Sequence, residues 1–166
     1  MKIMKKKENR FVFDTSGFIY LNYFRNFGEI YTTKSVISEV KDRFSRFKIA
    51  AIPIEVASPR KESLEKVKNV AVKTGDVDKL SLTDLEVIAL AYEIKGTIVS
   101  DDRNVQNVAK ILGISFLSLF NKGISKVIVW GKKCEGCGRF FSSRKKKCPF
   151  CGRKLKKIIK KFRMVE

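Results

Sequence analysis

Phe11-Val12-Phe13-Asp14-Thr15-Ser16-Gly17-Phe18-Ile19 is the stretch from which the rest of the chain can be interpreted. Three apolar residues of high β propensity come first, a carboxylate follows, and small residues lead into a second apolar segment. The pattern predicts a buried strand, a turn and a helix. Ligands of an open parallel sheet bind beyond the carboxyl ends of its strands, so Asp14 is a candidate site residue. The alternative is that Asp14 only caps the helix.

The same strand-then-helix pattern continues to about residue 120. Predicted strands occupy 11–14, 30–33, 51–57, 97–100 and 114–119. Predicted helices occupy 17–24, 35–47, 59–74 and 103–112. A further helix, the fourth in chain order, begins after a polar connection and ends at 95–96. Ser81 with Asp84, or Thr83 with Glu86, is a capping box for the fourth helix. The apolar face of helix 35–47 consists of Val36, Ile37, Val40, Phe44 and Phe47. This alternation predicts an α/β fold, a parallel sheet with helices on both faces.

Charge is distributed unevenly along the 166 residues, whose net charge is +19. Residues 11–120 carry 15 Lys/Arg and 14 Asp/Glu, whereas residues 121–166 carry 16 and 2. We therefore predict a basic lead-in at 1–10, a nearly neutral body at 11–120 and a basic module at 121–166. A basic segment on a neutral body favours a polyanionic partner, by default nucleic acid. The alternative is a solvated tail that only increases solubility.

Membrane insertion and secretion are not expected. No apolar run approaches the roughly 18 residues of a membrane span, and the basic start lacks the apolar segment of a secretory signal. We predict a cytoplasmic protein. The chain has no histidine, which excludes histidine-based triads and paired-histidine ribonuclease chemistry.

Acidic residues recur at predicted element boundaries: Asp14 after the first strand, Asp101 and Asp102 after the fourth, Asp84 in a first helical turn and Glu39 within a helix. Strand ends and helix N-termini share one edge of a parallel sheet, so we expect these acids to converge. Converging carboxylates must protonate or bind cations, and Mg²⁺ or Mn²⁺ suits oxygen ligands. Each of two acids also has a simpler explanation when it is considered alone. Asp84 would be an acid in the first turn of a helix, and Glu39 would be a solvated helix residue.

All four cysteines lie in Cys134-x-x-Cys137-Gly and Cys148-Pro-x-Cys151-Gly, ten residues apart. This spacing predicts a zinc ribbon with one structural Zn²⁺ on four thiolates. Two disulfides are the alternative, disfavoured in the cytosol. The segments 127–130 and 155–162 are predicted to be ribbon strands, or in the second case a closing helix.

Basic and aromatic residues alternate around the cysteines. These candidate RNA contacts are Arg139, Arg144, Lys145, Lys146, Lys147, Arg153, Lys154, Phe140 and Phe141, with Lys156, Lys157 and Phe150 close by. Lysine and arginine would contact phosphates, and the rings would stack on bases. The alternative is that the rings fill a small core, and we expect at least one of the three to do so.

The order Phe-Asp-Thr-Ser, a helical Glu, Leu-Thr-Asp and Val-Ser-Asp-Asp over residues 10–120 resembles the PIN domain, a family of metal-dependent ribonucleases. The resemblance implies that Asp14, Glu39, Asp84 and Asp102 bind the catalytic metal, with Asp101 as a second candidate beside Asp102. Ser16 matches the small polar residue that follows the first acid of the family.

A PIN domain followed by a four-cysteine ribbon resembles the archaeal Nob endonuclease family over the whole chain. That resemblance implies a Mg²⁺- or Mn²⁺-dependent endoribonuclease that cleaves precursor small-subunit rRNA at its 3′ end within a pre-ribosomal particle. The alternatives are a non-catalytic RNA-binding assembly factor and a PIN nuclease acting on other RNA.

Overall fold

The computed structural model describes residues 9–19, 28–141 and 145–164. Five parallel strands form the first sheet, in the spatial order β3-β2-β1-β4-β5. They are β1 Arg10–Phe13, β2 Glu29–Thr32, β3 Ile54–Val56, β4 Thr97–Val99 and β5 Phe116–Leu117. The helices are α1 Thr15–Ile19, α2 Lys34–Glu39, α3 Arg43–Ala51, α4 Lys61–Thr74, α5 Leu82–Ile94 and α6 Arg103–Ile111. The predicted parallel α/β sheet is confirmed.

Strand β1 lies at the centre of the sheet, between β2 and β4, and its last two residues are fully buried. Val12 pairs with Tyr31 of β2 on one side and with Ile98 of β4 on the other. Val12 and Phe13 are fully buried, as are Ile98 and Val99 of β4. Each such side chain contributes roughly 1.5–3 kcal/mol by leaving water. Helix α5 is buried over most of its length against this core.

The order of the strands places a topological switch point between β1 and β4. From β1 the chain builds outward through β2 and β3, and then returns to the opposite side of β1 to form β4 and β5. Ligands of open α/β sheets bind at such points, outside the carboxyl ends of the strands. Asp14 follows β1 there, and its amide still donates to Val99 O at 3.3 Å. Asp101 and Asp102 follow β4.

The predicted single helix at 35–47 is wrong. The chain forms two helices, α2 and α3, because Asp42 caps a new helix by accepting a hydrogen bond from Ser45 N at 2.8 Å. An aspartate that binds the backbone ahead of it competes with continuation of the helix it follows. Val36 and Val40 are buried as expected, but Phe44 and Phe47 are 80% and 65% exposed.

The bounds of the third and fifth strands also differ from the prediction. The third strand covers 54–56 and not 51–57, because Ala51 belongs to the last turn of α3, and the fifth covers 116–117 and not 114–119. Helix α1 is described as far as Ile19, so its predicted continuation to residue 24 lies outside the described residues.

The basic module contains a second, antiparallel sheet in the order β7-β6-β8. Its strands are β6 Lys126–Cys134, β7 Phe140–Phe141 and β8 Leu155–Met164. Residues 155–162, which were predicted to form either a strand or a helix, therefore belong to a strand. A bulge lies opposite Val129 and Trp130 of β6.

Polar contacts join β6 and β8 to the first sheet's helices. The Asn107 side chain of α6 exchanges two hydrogen bonds with the backbone of Ile128, each 2.8 Å long. Lys157 Nζ of β8 donates to Gly75 O at 3.3 Å, just after α4. A longer ion pair, 3.9 Å, links Lys132 to Asp78.

Candidate active site and metal centre

Asp14 is both a helix cap and a buried charge. Its Oδ1 accepts hydrogen bonds from Ser16 Oγ and Gly17 N, each at 2.7 Å, so the capping interpretation holds. Gly17 permits this geometry, since an added Cβ would lie 2.9 Å from Phe13 Cδ1. Burial raises the pKa of the Asp14 carboxyl, bonds from Ser100, Ser16 and Gly17 act to lower it, and repulsion from Asp84 adds to the rise.

Asp84 occupies the first turn of α5. Ser81 N and Ser81 Oγ both donate to Asp84 Oδ2 at 2.8 Å, and Asp84 N donates back to Ser81 Oγ at 3.1 Å, which forms the predicted capping box. Burial is the main cause that raises the pKa of Asp84, the Ser81 bonds oppose it, and repulsion from Asp102 and Glu39 raises it further. Asp84 therefore lies within the field of the other acids.

Glu39 is the last residue of α2 and is exposed. Thr15 Oγ1 donates to Glu39 Oε2 at 3.0 Å, which holds the carboxylate beside the residue that follows Asp14. The helix itself is anchored at its other end, where Ser35 Oγ donates to Glu86 of α5. These two bonds fix Glu39 in relation to both Asp14 and Asp84.

The aspartates at the end of β4 have different partners. Asp102 caps α6, and its Oδ1 accepts from Asn104 N at 2.6 Å and Asn104 Nδ2 at 2.9 Å. The carboxylate of Asp101 faces the 118–121 turn instead, where it accepts from Ser118 Oγ and from three backbone amides at 3.1 Å, those of residues 119, 120 and 121. Burial acts to raise the pKa of Asp101, but these four donors outweigh it and lower that pKa.

We call Asp14, Glu39, Asp84 and Asp102 the acid cluster. Within the described part of the chain, no lysine or arginine lies within 4.0 Å of these four carboxylates. In Asp84, Asp102 and Glu39 the hydrogen bonds from described residues all reach a single oxygen, so the other oxygen has no partner within the described part of the chain. No three of the acids bring their oxygens within 4.8 Å of one another among the described residues. The arrangement suits a hydrated or substrate-bridged cation.

The sequence analysis named Ser16 and Ser81 but missed two other hydroxyls near the acids, those of Ser100 and Ser35. Ser100 hydrogen-bonds to Asp14 and also accepts from Asp102 N at 3.1 Å, so it touches both sides of the switch point. Its place between an apolar strand and two acids was the available signal. The Ser35–Glu86 bond had no comparable signal, because those residues are 51 positions apart.

The four cysteines form the metal-ligating group that the sequence predicted. Their sulfur atoms all lie within 4.8 Å of one another, with Cys134 Sγ 3.3 Å from Cys151 Sγ and Cys137 Sγ 3.5 Å from Cys148 Sγ. These distances exceed a disulfide bond of about 2.05 Å, and the cysteines are free. A compact set of four sulfurs is the donor set of a structural metal site.

The two cysteine knuckles repeat one backbone geometry. Gly138 N donates to Cys134 O and Gly152 N donates to Cys148 O, both at 2.9 Å. Both glycines have positive φ, 71° and 69°, a conformation that favours glycine. The repeat extends one residue further in the sequence, as Cys-x-x-Cys-Gly-Arg at 134–139 and 148–153.

The backbone of each knuckle favours thiolate over thiol. The Cys137 N–H is the main cause that lowers the pKa of Cys134, to about 6. The amides of residues 150 and 151 outweigh burial and lower the pKa of Cys148. In Cys151 the Arg153 N–H acts to lower the pKa, but the adjacent Cys134 sulfur and burial raise it to about 11. Because thiolate is the metal ligand, preformed amide donors assist metal binding.

Each cysteine knuckle carries an arginine that contacts the other knuckle. The Arg139 guanidinium lies 3.9 Å from the ring centroid of Phe150, whereas Arg153 packs against Gly136, where an added Cβ would meet its Cδ at 2.6 Å. Phe140 and Phe150 are each 66% exposed. Phe141 is half-buried, with its ring centroid 6.3 Å from that of Phe150, and none of the three rings is fully buried, so the expectation that one of them fills a core is not met.

The remaining candidate RNA contacts lie on the same module. Lys145, Lys146, Lys147 and Lys154 are exposed, and Lys145 Nζ lies 5.9 Å from the Phe141 ring centroid. Arg144 lies outside the described residues. No described helix has the length and apolarity that a membrane span requires.

A parallel α/β sheet with acids at its switch point defines a PIN-type nuclease fold, and the comparisons agree. A family model described as the PIN domain of ribonuclease matches residues 11–94, and one described as a PINc domain ribonuclease matches residues 61–128. Endoribonuclease Nob1 of Pyrococcus abyssi is 49% identical over 81% of this chain and 87% of its own length.

Two other relatives extend the comparison. Ribonuclease VapC1 of Thermoplasma acidophilum is 41% identical over 89% of this chain and 77% of its own. The 20S-pre-rRNA D-site endonuclease nob1 of Schizosaccharomyces pombe is 36% identical over 55% of this chain and 25% of its own. The chain belongs to the PIN-domain ribonucleases of the Nob1 endoribonuclease family.

Proposed function

We propose that this chain is a Mg²⁺- or Mn²⁺-dependent endoribonuclease that cleaves precursor small-subunit rRNA at its 3′ end. The observation that carries the proposal is the acid cluster at the switch point, with no cation of the described chain to balance it. A set of carboxylates without cationic partners, in which burial and mutual repulsion raise the pKa of Asp14 and of Asp84, is suited to a divalent cation and not to a structural ion pair.

The acid cluster offers carboxylate oxygens, which are the ligand atoms that such a cation prefers. Asp14, Asp84, Asp102 and Glu39 would hold it, each carboxylate already oriented by a hydroxyl or amide of the chain. When bound, Mg²⁺ or Mn²⁺ lowers the pKa of a coordinated water and offsets the charge of the scissile phosphate. Ser16 and Ser100 act as positioning residues, since they bind the Asp14 carboxylate.

Asp101 has a positioning role in this proposal. Four donors of the 118–121 turn bind Asp101 Oδ1, and Phe120 N also lies 3.3 Å from Oδ2, so both oxygens face the turn. Asp101 would therefore fix the end of β5 beside the site instead of binding metal. Asp102 is the metal-binding acid of the doublet, which agrees with the preference drawn from the resemblance.

The proposed substrate follows from the relatives and from charge. The fission-yeast relative is named a pre-rRNA D-site endonuclease, and the Pyrococcus relative an endoribonuclease. In this chain, the excess of positive charge lies in residues 121–166, which carry 16 Lys/Arg and 2 Asp/Glu. We infer that this module docks the rRNA of a cytoplasmic pre-ribosomal particle while the acid cluster cleaves it.

The docking module is proposed as a zinc ribbon. Four cysteines with no open ligand position suit one structural Zn²⁺, and the zinc would hold the knuckles that carry the basic residues. The chain would thus divide into the lead-in at 1–10, the nuclease body at 11–120 and the ribbon with its basic tail at 121–166. Arg139 and the lysines at 145–147 and 154 would contact phosphates, and Phe140 is exposed enough to stack on a base.

Cleavage of a precursor small-subunit rRNA 3′ fragment, with Mn²⁺ or Mg²⁺ added, tests the proposal. Asp14→Asn keeps an acceptor for Ser16 and Gly17 but removes one charge, so cleavage should fall by at least about 10²-fold. RNA binding should change little. Asp78→Asn is the matched control, since Asp78 is an exposed acid that pairs with Lys132 and does not belong to the acid cluster. Full cleavage by Asp14→Asn would refute the proposal.

A second candidate substrate is another RNA class. The Thermoplasma relative is named only a ribonuclease, so its name does not restrict the substrate to rRNA. Cleavage that depends on Asp14 but shows no preference for the rRNA fragment over transfer or messenger RNA would favour this candidate. Sequence-specific binding without any cleavage would favour a non-catalytic assembly factor.

A further inference from the structure

A groove of about 670 Å³ lies between α6 and the chain that leads into β6. Arg103 and Asn104 line one end, directly after the acid Asp102, and Trp130 lines the groove from β6. Lys122 lies on the connecting loop. The groove is therefore lined both by the first turn of α6, which Asp102 caps, and by the first strand of the cysteine module, and its volume falls in the range of ligand sites.

Positive charge is concentrated on the exposed rim of the groove. Arg103 and Lys122 are exposed, and in the described part of the chain neither has a carboxylate within 4.0 Å. Arg103 stands beside the acid cluster, so an anion at this position would lie close to the proposed cleavage site. Cations that the protein itself does not neutralise favour a phosphate.

The inner wall of the groove has a different chemistry. Asp76 is 1% exposed, and its Oδ2 accepts from Asn107 Nδ2 at 2.6 Å. Its Oδ1 is buried, and the side chains of Thr74 and Trp130 donate toward the same carboxylate. Asp76 therefore helps to fix the Trp130 ring in this wall. Trp130 adds a half-buried aromatic ring to the same wall.

We propose that the groove binds an unpaired nucleotide of the RNA, with its phosphate at Arg103 and Lys122 and its base against Trp130. The cationic rim and the aromatic wall match the phosphate and the base of a nucleotide, and stacking on aromatic rings is how unpaired bases bind. The inference rests on the proposed RNA substrate and adds a path for the strand between cleavage site and ribbon.

The chain provides its own reporter, because Trp130 is the single tryptophan. An unpaired RNA of about eight nucleotides, titrated without Mg²⁺ or Mn²⁺, should change the Trp130 emission in a saturable way, at the same concentration at which fluorescence anisotropy of the RNA reports binding. A duplex RNA of the same length should bind with little change in emission. If the unpaired RNA binds without changing the Trp130 emission, the inference is wrong.

Variants separate the groove from the ribbon. Arg103→Ala and Lys122→Ala should each weaken binding of the unpaired RNA by roughly 3–10-fold and lower the salt slope by about 0.7. Lys110→Ala is the matched control, an exposed lysine of the same helix α6 that lies outside the groove. Equal affinities for Arg103→Ala and Lys110→Ala would overturn the groove proposal alone. Absence of any RNA binding by anisotropy would refute the proposed function as well.

Discussion

Asn107 of α6 binds the backbone of Ile128 as a neighbouring strand would. Asn107 Nδ2 donates to Ile128 O and Ile128 N donates to Asn107 Oδ1, both at 2.8 Å. The same Nδ2 reaches Asp76 at 2.6 Å. One buried amide therefore joins the end of α4, the helix α6 and the first strand of the cysteine module, and this bond network orients the module relative to the acid cluster.

Asn107→Ala should destabilise the protein by about 2–4 kcal/mol, because it leaves Ile128 and Asp76 with unpaired polar groups. Urea denaturation measures the loss. Asn69→Ala is the matched control, since Asn69 is exposed on α4 and its replacement should stay within about 0.5 kcal/mol. Equal stability of the two variants would show that the amide does not hold the two sheets together.

Asp101→Asn should mainly reduce stability, whereas Asp102→Asn should mainly reduce cleavage. Asp102→Asn retains an efficient helix cap but loses charge at the site, so cleavage should fall at least about 10²-fold at nearly unchanged stability. Asp101→Asn weakens charge-assisted bonds to the 118–121 turn and should cost about 1–3 kcal/mol while cleavage falls less than about tenfold. Cleavage and urea denaturation of both variants check this. The reverse pattern would make Asp101 the metal ligand.

The stability of the metal-free protein should depend on Asp14 through pH. Because the folded-state pKa of Asp14 is raised above 3.8, its ionised form destabilises the native state above that raised pKa, and protonation relieves this as pH falls toward 3.8. Asp14→Asn should therefore be more stable than the parent chain at neutral pH. The difference should shrink as pH approaches about 3.8, or when Mn²⁺ is added at neutral pH.

Urea denaturation of the two chains at several pH values, without divalent cations beyond zinc, gives this difference directly. Protonation of the cysteine module affects both chains alike and cancels. A difference that is independent of pH would show that Asp14 carries no charge penalty in the folded protein.

Removal of one cysteine should abolish the proposed zinc site. Protein purified under reducing conditions should contain about one zinc per chain, and Cys148→Ser should contain none. The second sheet should then lose its order, while the helical far-ultraviolet signal of the body persists, because the body has its own core. Zinc retention by Cys148→Ser, or two disulfides in the parent chain, would contradict the assignment.

Basic residues near the cysteines should control the salt dependence of RNA binding. Replacing Lys145, Lys146 and Lys147 by alanine should weaken rRNA binding and flatten the slope of log affinity against log salt. The matched control replaces Lys61, Lys68 and Lys73, which are exposed on α4. Equal losses in the two triple variants would indicate a general charge effect and no docking surface on the ribbon.

The chemical roles that residue type and local order determine were predictable from sequence. Four cysteines at this spacing favour one metal-ligating cluster, and the structure contains it. Asp14 after an apolar strand and Asp102 after another predict one site, since strands of a parallel sheet end at the same edge. The capping box at Ser81 and Asp84 was likewise predicted from its sequence motif.

Local signals failed where two short-range preferences competed or where the partners were distant in sequence. Periodicity favoured one helix at 35–47, but the cap at Asp42 outweighed it, and the two phenylalanines became exposed. Asp101 and Asp102 are adjacent acids with different hydrogen-bond partners, because α6 begins after Asp102 and the 118–121 turn, nearly 20 residues later, binds Asp101.

Tertiary structure alone decided what surrounds the sites. Some contacts bring together residues that no periodicity of the sequence connects. Examples are the Ser35–Glu86 bond, the Asn107–Ile128 pairing and the lining of the groove beside Trp130. Residue type and order determine which groups can bind a metal or begin a helix, because those preferences act over a few residues. Distances between elements depend on how the buried faces pack, and that packing is a property of the whole core.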